Sequence, residues 1–391
     1  MIYKELEDAT LIGSKALFEK QAIERNARHG IDAMLLERSL HCLEYVAQLH
    51  SKGLDFIFKG GTACQLLVGK NIQRLSIDID ISTEAHEKDI REILENIHKS
   101  VGKRTYRPAD VPKKGLDKVP LLMFNISAPT YYPRQKPDTM IKLDAVLKMP
   151  AYETILTSIS TFYYESELKV KTPSKSSMLG DKLSTLGPNT IGLRADLPVD
   201  NVKQFYDVGS LLALDFKMKA LKLAYFACYK EVSSWRGLSA SLDEVHQDLV
   251  EWCKVASAVQ YAPPMTTSRR MEHIRTMGRG VDGFAGYIAS ENILTKRRLR
   301  DISSRVALLS KLMQETKEYD VLHDFIKNPS RYREAVVQNF EVILTGIYKV
   351  PAAQRWHIYV DEFKNNPFAM ASWFGHWYPG EFAELLIGGS I

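Results

Sequence analysis

A chain of 391 residues is too long for one ordinary core and suits two domains, or one domain with a large elaboration. With 45% hydrophobic and 25% charged residues it is globular in composition, which excludes wholesale disorder. No apolar run approaches the ~18 residues of a membrane span, Met1 is followed by no signal-peptide pattern, and the four scattered cysteines form no C-x-x-C or Cys/His finger. A soluble cytoplasmic protein, without zinc or a disulfide framework, is therefore expected.

The net charge of +5 is mild, but positions 265–312 hold ten Lys and Arg against four Asp and Glu. Such clustering is either an electrostatic footprint for nucleic acid or one solvated helix face.

The first fifty residues read as helical: Leu36, Leu40, Leu43, Val46 and Leu49 recur near a 3.6 period, and Gly53 suits a helix end. Phe56-Ile57-Phe58 predicts a short buried strand, broken by Lys59-Gly60-Gly61-Thr62. A helix is expected over 63–68 with Thr62 as its N-cap. Leu75, Ile77, Ile79 and Ile81 alternate with Ser76, Asp78 and Asp80, predicting a strand with one polar face over 75–81. There follow an amphipathic helix over 84–101, a basic loop or hairpin over 104–119, and strands at 121–127 and 140–147. A link rich in Tyr and Pro at 131–137 joins those two strands.

Residues 162–164 and 168–170 suggest short strands or an irregular crossover, and 171–177 a polar turn. A helix starts over 178–186 and Gly187-Pro188-Asn189 stops it. Beyond residue 200 the pattern is helical, over 202–227, 238–259 and 287–317. Pro263-Pro264 and the Gly-rich stretch 278–286 are expected as loops. The aromatic tail, with Trp373, Phe374, Trp377, Tyr378 and Phe382, suits core packing or base stacking. The change in character divides the chain into 1–215 and a helical 216–391.

The informative stretch runs from Lys59 to Asp80. On a strand, Asp78 and Asp80 point to one face, where two carboxylates repel and raise each other's pKa. A hard divalent cation with oxygen ligands, Mg²⁺ above all, resolves that conflict; the plainer alternative is a solvent-facing strand edge. Ser76 shares the face. Gly60-Gly61 at a strand-to-helix junction lets backbone N–H groups approach a phosphate, with Thr62 adding a hydroxyl, or else forms a simple tight turn. This is no Walker A loop, and no G-x-G-x-x-G occurs. His86, His246, His273 and His323 fall into no metal spacing.

A phosphate cradle followed on the next strand by a carboxylate pair resembles the DNA polymerase β-like nucleotidyltransferase superfamily. More closely, K-G-G-T followed by R-x-S-x-D-x-D resembles the AbiEii/AbiGii nucleotidyltransferase toxin family. Asp181-Lys182-Leu183-Ser184-Thr185-Leu186 matches that family's D-K-L-x-[AT]-L helix start, and Lys203-Gln204-Phe205-Tyr206-Asp207-Val208 stands where it has an R-D-x-Y-D-L-like segment. The resemblance covers roughly 20–215. Gln204 departs from the family Asp, so Asp207 takes that place or the role is missing.

The resemblance implies an α+β fold: a polymerase β-like domain with a mixed sheet flanked by helices, then a helical C-terminal domain. It implies transfer of NMP from an NTP to RNA, foremost the tRNA 3′ end, by the toxin of a toxin–antitoxin or abortive-infection pair with a separate antitoxin. Carried over, Asp78 and Asp80 hold two Mg²⁺ ions, with Asp144 as third carboxylate from a neighbouring strand. Gly60, Gly61, Thr62 and Ser76 contact phosphates; Lys182 binds the triphosphate and Asp207 assists.

Lys59 and Arg74 either touch substrate or support the turn and a carboxylate. Asp144 and Lys182 have plain surface alternatives. Arg269, Arg270, Arg275, Lys296, Arg297, Arg298 and Arg300 are the candidates to grip an RNA backbone. Nucleotidylation of a protein or small molecule, and a catalytically weak nucleotide-binding module, remain as alternatives.

Overall fold

The computed structural model describes residues 2–27, 30–102, 105–112, 119–133, 138–259, 267–358 and 363–388. The expected loop at Pro263-Pro264 and parts of the expected links at 104–119 and 131–137 lie outside the described residues. The chain forms two compact units, Met1–Met178 with Ala285–Ile293, and Leu179–Phe284 with Leu294–Ile391. Residue 215, where the composition changes, lies inside the second unit, so the two compact units differ from the expected 1–215 and 216–391.

The first unit opens with helices α1 (Lys4–Glu7), α2 (Lys20–Asn26) and α3 (Ala33–Ser51). There follow β1 (Ile57–Lys59), α4 (Gly60–Leu67), β2 (Asp78–Ser82), α5 (Glu87–Val101), β3 (Arg107–Asp110), β4 (Leu121–Pro129), β5 (Asp138–Val146), β6 (Thr154–Ser160) and β7 (Glu165–Pro173). The seven strands make one mixed sheet in the order β3-β4-β5-β2-β1-β7-β6. β2 sits centrally, antiparallel to β1 and parallel to β5.

Alternation decides the faces. Ile79, Ile81, Ile141, Leu143 and Ala145 are fully buried, each Ile or Leu side chain contributing roughly 1.5–3 kcal/mol. α3, started by Asp32 accepting from the N–H groups of Met34 and Leu35, packs against β2, β5 and β7. Its buried Glu44 accepts from Ile12 N, Gly13 N, the Tyr164 hydroxyl and Gln48 Nε2, so a polar knot ties the N-terminal segment to the β6–β7 turn.

Several boundaries move for physical reasons. β2 begins at Asp78; ahead of it Leu75 N donates to Tyr287 O at 2.7 Å, outside the sheet. α4 begins at Gly60, so the glycines form the first helical turn, and Thr62 lies inside the helix instead of capping it. Residues 154–173 form the β6–β7 hairpin and not a crossover, with Phe162 to Tyr164 in its turn. The expected polar turn at 171–177 is the end of β7 and the start of the next helix.

The second unit is helical: α6 (Lys175–Ser184, within which the division falls), α7 (Pro198–Leu212), α8 (Met218–Arg236), α9 (Leu242–Ser257), α10 (Ser268–Phe284) and α11 (Lys296–Gln314). Shorter helices follow: α12 (Asp320–Lys327), α13 (Arg333–Gln338), α14 (Phe340–Lys349), α15 (Pro367–Trp377) and α16 (Pro379–Ile387). The expected single helix over 202–227 is two, parted between Leu212 and Met218. The Gly-rich stretch 278–286 is mostly helix, not loop. A Cβ on Gly280 would run into the Pro198 carbonyl, so this glycine permits close packing of α10 on α7. Trp373, Phe374 and Phe382 are core residues.

Glu37, buried in α3, accepts from the Thr130 hydroxyl and from Tyr131 N at 2.9 Å. Burial outweighs both bonds and pushes its pKa up to about 7 from an ordinary 4.5. A raised carboxyl contributes stability that is complete below pH 4.5 and is lost as pH rises through about 7. Glu37→Gln should therefore flatten the decline of unfolding free energy between pH 5 and 8, removing at most ~3 kcal/mol of it, as urea melts across that range would record.

Candidate active site

The sheet places a set of charged side chains on one face at its centre. Strand pairing sets Asp78 beside Lys142, Asp80 beside Asp144, and Asp80 beside Lys59 on its other side. Paired residues of adjacent strands share a face, so all five lie on the side opposite the buried aliphatic residues. Lys142 Nζ donates to Asp144 Oδ2 at 2.6 Å. Arg38, from α3, stands 3.9 Å from Asp78.

Burial pushes the Asp144 carboxyl above its ordinary value; the Lys142 hydrogen bond and charge oppose this, and Asp78 adds to it. For Lys142, burial pulls the ammonium down. Its bond to Asp144, with the charges of Asp144, Asp80 and Asp78, wins and leaves it raised.

The turn before α4 is shaped by what it lacks. Gly60 has φ +74°, and a Cβ there would fall inside the Asp80 carboxylate. Only glycine meets both demands. A Cβ on Gly61 would come within 2.5 Å of the Arg74 guanidinium and 2.8 Å of Ser76 Oγ. The Lys59 N-cap makes no side-chain cap bond, so the first N–H groups of α4 have no such partner.

Thr62 is fully buried and its hydroxyl donates to the Asp78 carbonyl, tying α4 to β2; that donor is engaged within the protein and is not turned toward a ligand. Arg74 is also buried, donating to Leu75 O at 2.8 Å, and supports the segment before β2. The Ser76 carbonyl accepts from Ser39 Oγ at 2.6 Å.

The candidate metal ligands on this face are the carboxylates of Asp78, Asp80 and Asp144, with the ammoniums of Lys59 and Lys142 on the same side. Asp144 Oδ1 is buried and finds no hydrogen-bond partner among the described residues. That orphaned oxygen, beside two further carboxylates, fits a hard divalent cation. Among the described residues, no three His, Cys, Asp or Glu side chains are gathered as a ready-made metal site, and the Lys142 ammonium now lies against Asp144.

The second unit contains the other two motif residues. Lys182 and Asp207 form a buried ion pair at 2.9 Å, their side chains 5% and 3% exposed. Lys182 also donates to Gln204 Oε1 at 3.1 Å. The residue that departs from the family pattern is thus a direct partner of this lysine. It supplies a neutral acceptor where Asp would add a second negative charge.

The basic candidates separate. Arg269, Arg275 and Arg297 are exposed, the first donating to Asn189 Oδ1 at 2.9 Å. Arg270 lies over the Trp356 ring and Arg298 over the Tyr206 ring, with Lys296 half-buried. Arg300 is a correction: it is 3% exposed, donates to Ser257 O and lies over the Phe363 ring, so its charge is enclosed and not offered to a phosphate backbone. Sequence reasoning missed Arg38, which carries no motif signal, and the part played by Lys142, whose signal was its spacing of two from Asp144.

Residues 42–274 match the family described as nucleotidyl transferase AbiEii toxin, type IV TA system. No curated protein matches the sequence. Among solved structures, a nucleotidyltransferase from Helicobacter pylori is similar at 12% identity and TM-score 0.41, over 77% of this chain and 99% of that one. JHP933 from Helicobacter pylori follows at 13% and 0.40, over 80% and 98%. MenT4, a nucleotidyltransferase toxin from Mycobacterium tuberculosis, stands at 12% and 0.43, over 74% and 99%. No described helix is long and apolar enough to cross a membrane.

Gly60→Ala should lower the unfolding free energy by about 2 kcal/mol or more in urea, since the strained φ and the displaced Asp80 add together. Asp207→Ala, which strands the buried Lys182, should cost roughly 3–5 kcal/mol, and Asp207→Asn less.

Proposed function

The chain belongs to the AbiEii nucleotidyltransferase toxin family of type IV toxin–antitoxin systems, and we propose that it transfers NMP from an NTP to the 3′ end of an RNA, foremost a tRNA, using Mg²⁺. Nucleotide transfer and an antitoxin counterpart follow from membership of the family; the RNA acceptor and Mg²⁺ extend that reading to this chain. The observation that carries it is the orphaned Asp144 Oδ1 on one sheet face with Asp78 and Asp80, next to the glycine start of α4.

In this reading Asp78, Asp80 and Asp144 would hold Mg²⁺, which would supply Lewis-acid activation of a hydroxyl and charge neutralisation on pyrophosphate. The N–H groups of the first turn of α4, which the Lys59 side chain does not cap, would receive phosphate oxygens, and the small size of Gly60 and Gly61 allows close approach. Arg74 and Thr62 hold the surrounding backbone. The 3′ oxygen bonds to the α-phosphorus as the α–β phosphoanhydride bond breaks, pyrophosphate leaving and the hydroxyl proton passing to solvent. Lys182 and Asp207 join the catalytic set through their place in the family's motifs. The exposed Arg269, Arg275 and Arg297 support an RNA acceptor, since backbone phosphates are gripped by such side chains without sequence choice.

The test is transfer of label from each α-³²P NTP, with Mg²⁺, into total cellular RNA and protein. A labelled band of tRNA size is expected, falling at least ~100-fold in Asp78→Ala/Asp80→Ala and disappearing with EDTA. Label confined to protein would transfer the reading to a protein acceptor. NTP binding with no label anywhere would favour a binding module.

A further inference from the structure

The helical unit contains a cavity of about 270 Å³ that no motif residue named above lines. Lys217, Lys219 and Lys222 reach it from the start of α8, and Lys317 from the link between α11 and α12. Glu318 and Asp320 are the acidic residues in its wall, so four cations face two anions. Leu312, nearly buried, and Met218 give it apolar wall.

Like charges gathered on a concave, partly apolar wall repel more strongly than the same charges spread over an open surface. The contacts of Lys222 and Lys317 do not relieve this. Lys222 Nζ donates to the Glu315 backbone carbonyl at 3.2 Å, and Lys317 Nζ lies 5.0 Å from the Tyr319 ring centroid. Both arrangements orient an ammonium without neutralising it. α8 and α12 also begin at this cavity, and neither Lys217 nor Tyr319 makes a side-chain cap bond, so first-turn N–H groups add partial positive charge.

We propose that this cavity binds a phosphate group, carried either by an RNA backbone or by a free polyphosphate. Four lysine ammoniums suit phosphate oxygens, for which they act as point charges on flexible stems. The site is separate from the carboxylate face and needs no catalysis to be detected.

The test uses the full-length protein without NTP. Binding of inorganic tripolyphosphate is measured by calorimetry, and binding of labelled tRNA by anisotropy at several salt concentrations. Lys219→Gln/Lys317→Gln removes two exposed charges, and Lys4→Gln/Lys88→Gln is the charge-matched control on exposed residues of the other unit. The pocket variant should weaken one of the two ligands at least tenfold while the control changes it less than twofold.

Loss of tRNA binding, with the salt slope reduced by about 1 to 2, assigns the backbone phosphate. Loss of tripolyphosphate binding assigns the free polyphosphate. Equal effects of the two variants, or no effect of either, overturn the proposal. Should the double variant melt early, Lys317→Gln alone, in an exposed link, is judged by the same criteria.

Discussion

Everything on the charged face of the sheet depends on a missing side chain. The Asp80 carboxylate occupies the volume that a Cβ on Gly60 would fill, so strand β2 can approach the β1–α4 turn only because that position is glycine. The same turn needs a left-handed backbone, which glycine adopts without steric cost. From this contact the rest follows in sequence. Thr62 reaches the Asp78 carbonyl, and Gly61 leaves room for Arg74 and Ser76. A steric constraint thereby fixes the position of two carboxylates that electrostatics alone would drive apart.

Charge balance is solved differently in the two units. On the sheet, the carboxylates are half-open to solvent and accompanied by cations on neighbouring elements, Lys142 and Arg38. Such contacts are weak enough to be exchanged for a stronger partner. Among the helices, Lys182 and Asp207 are enclosed almost completely, where a pair is retained because separating it leaves a bare charge. Gln204 completes that arrangement with a neutral oxygen, so the enclosed group carries no surplus charge from these three residues.

How far this could be read beforehand depended on range. Asp78 and Asp80 on one strand face, and the glycine pair at a strand-to-helix junction, are local facts that spacing reveals. The order of the seven strands, which brings Asp144 alongside Asp80, needed the family resemblance, because register between distant strands has no local signal. Two errors were errors of residue type. The glycines near 280 read as loop, whereas Gly280 serves close helix packing. Arg300 reads as one more surface charge in a basic run, yet its position on α11 turns it inward onto Phe363. Arg38 was invisible because one arginine on a long helix resembles any other.

The first unit is not continuous in the chain. Leu75 N donates to Tyr287 O, Asp32 N to Gly286 O, and Asn292 Nδ2 to the carbonyl of Asn71, 221 positions earlier. During synthesis the segment bearing Arg74 and Ser76 emerges long before the carbonyl that holds it. The nascent chain therefore carries its carboxylate strand without one of that strand's approach contacts until nearly three quarters of the polypeptide has left the ribosome. The charged face is completed only when the helices that precede Ala285 have already been made.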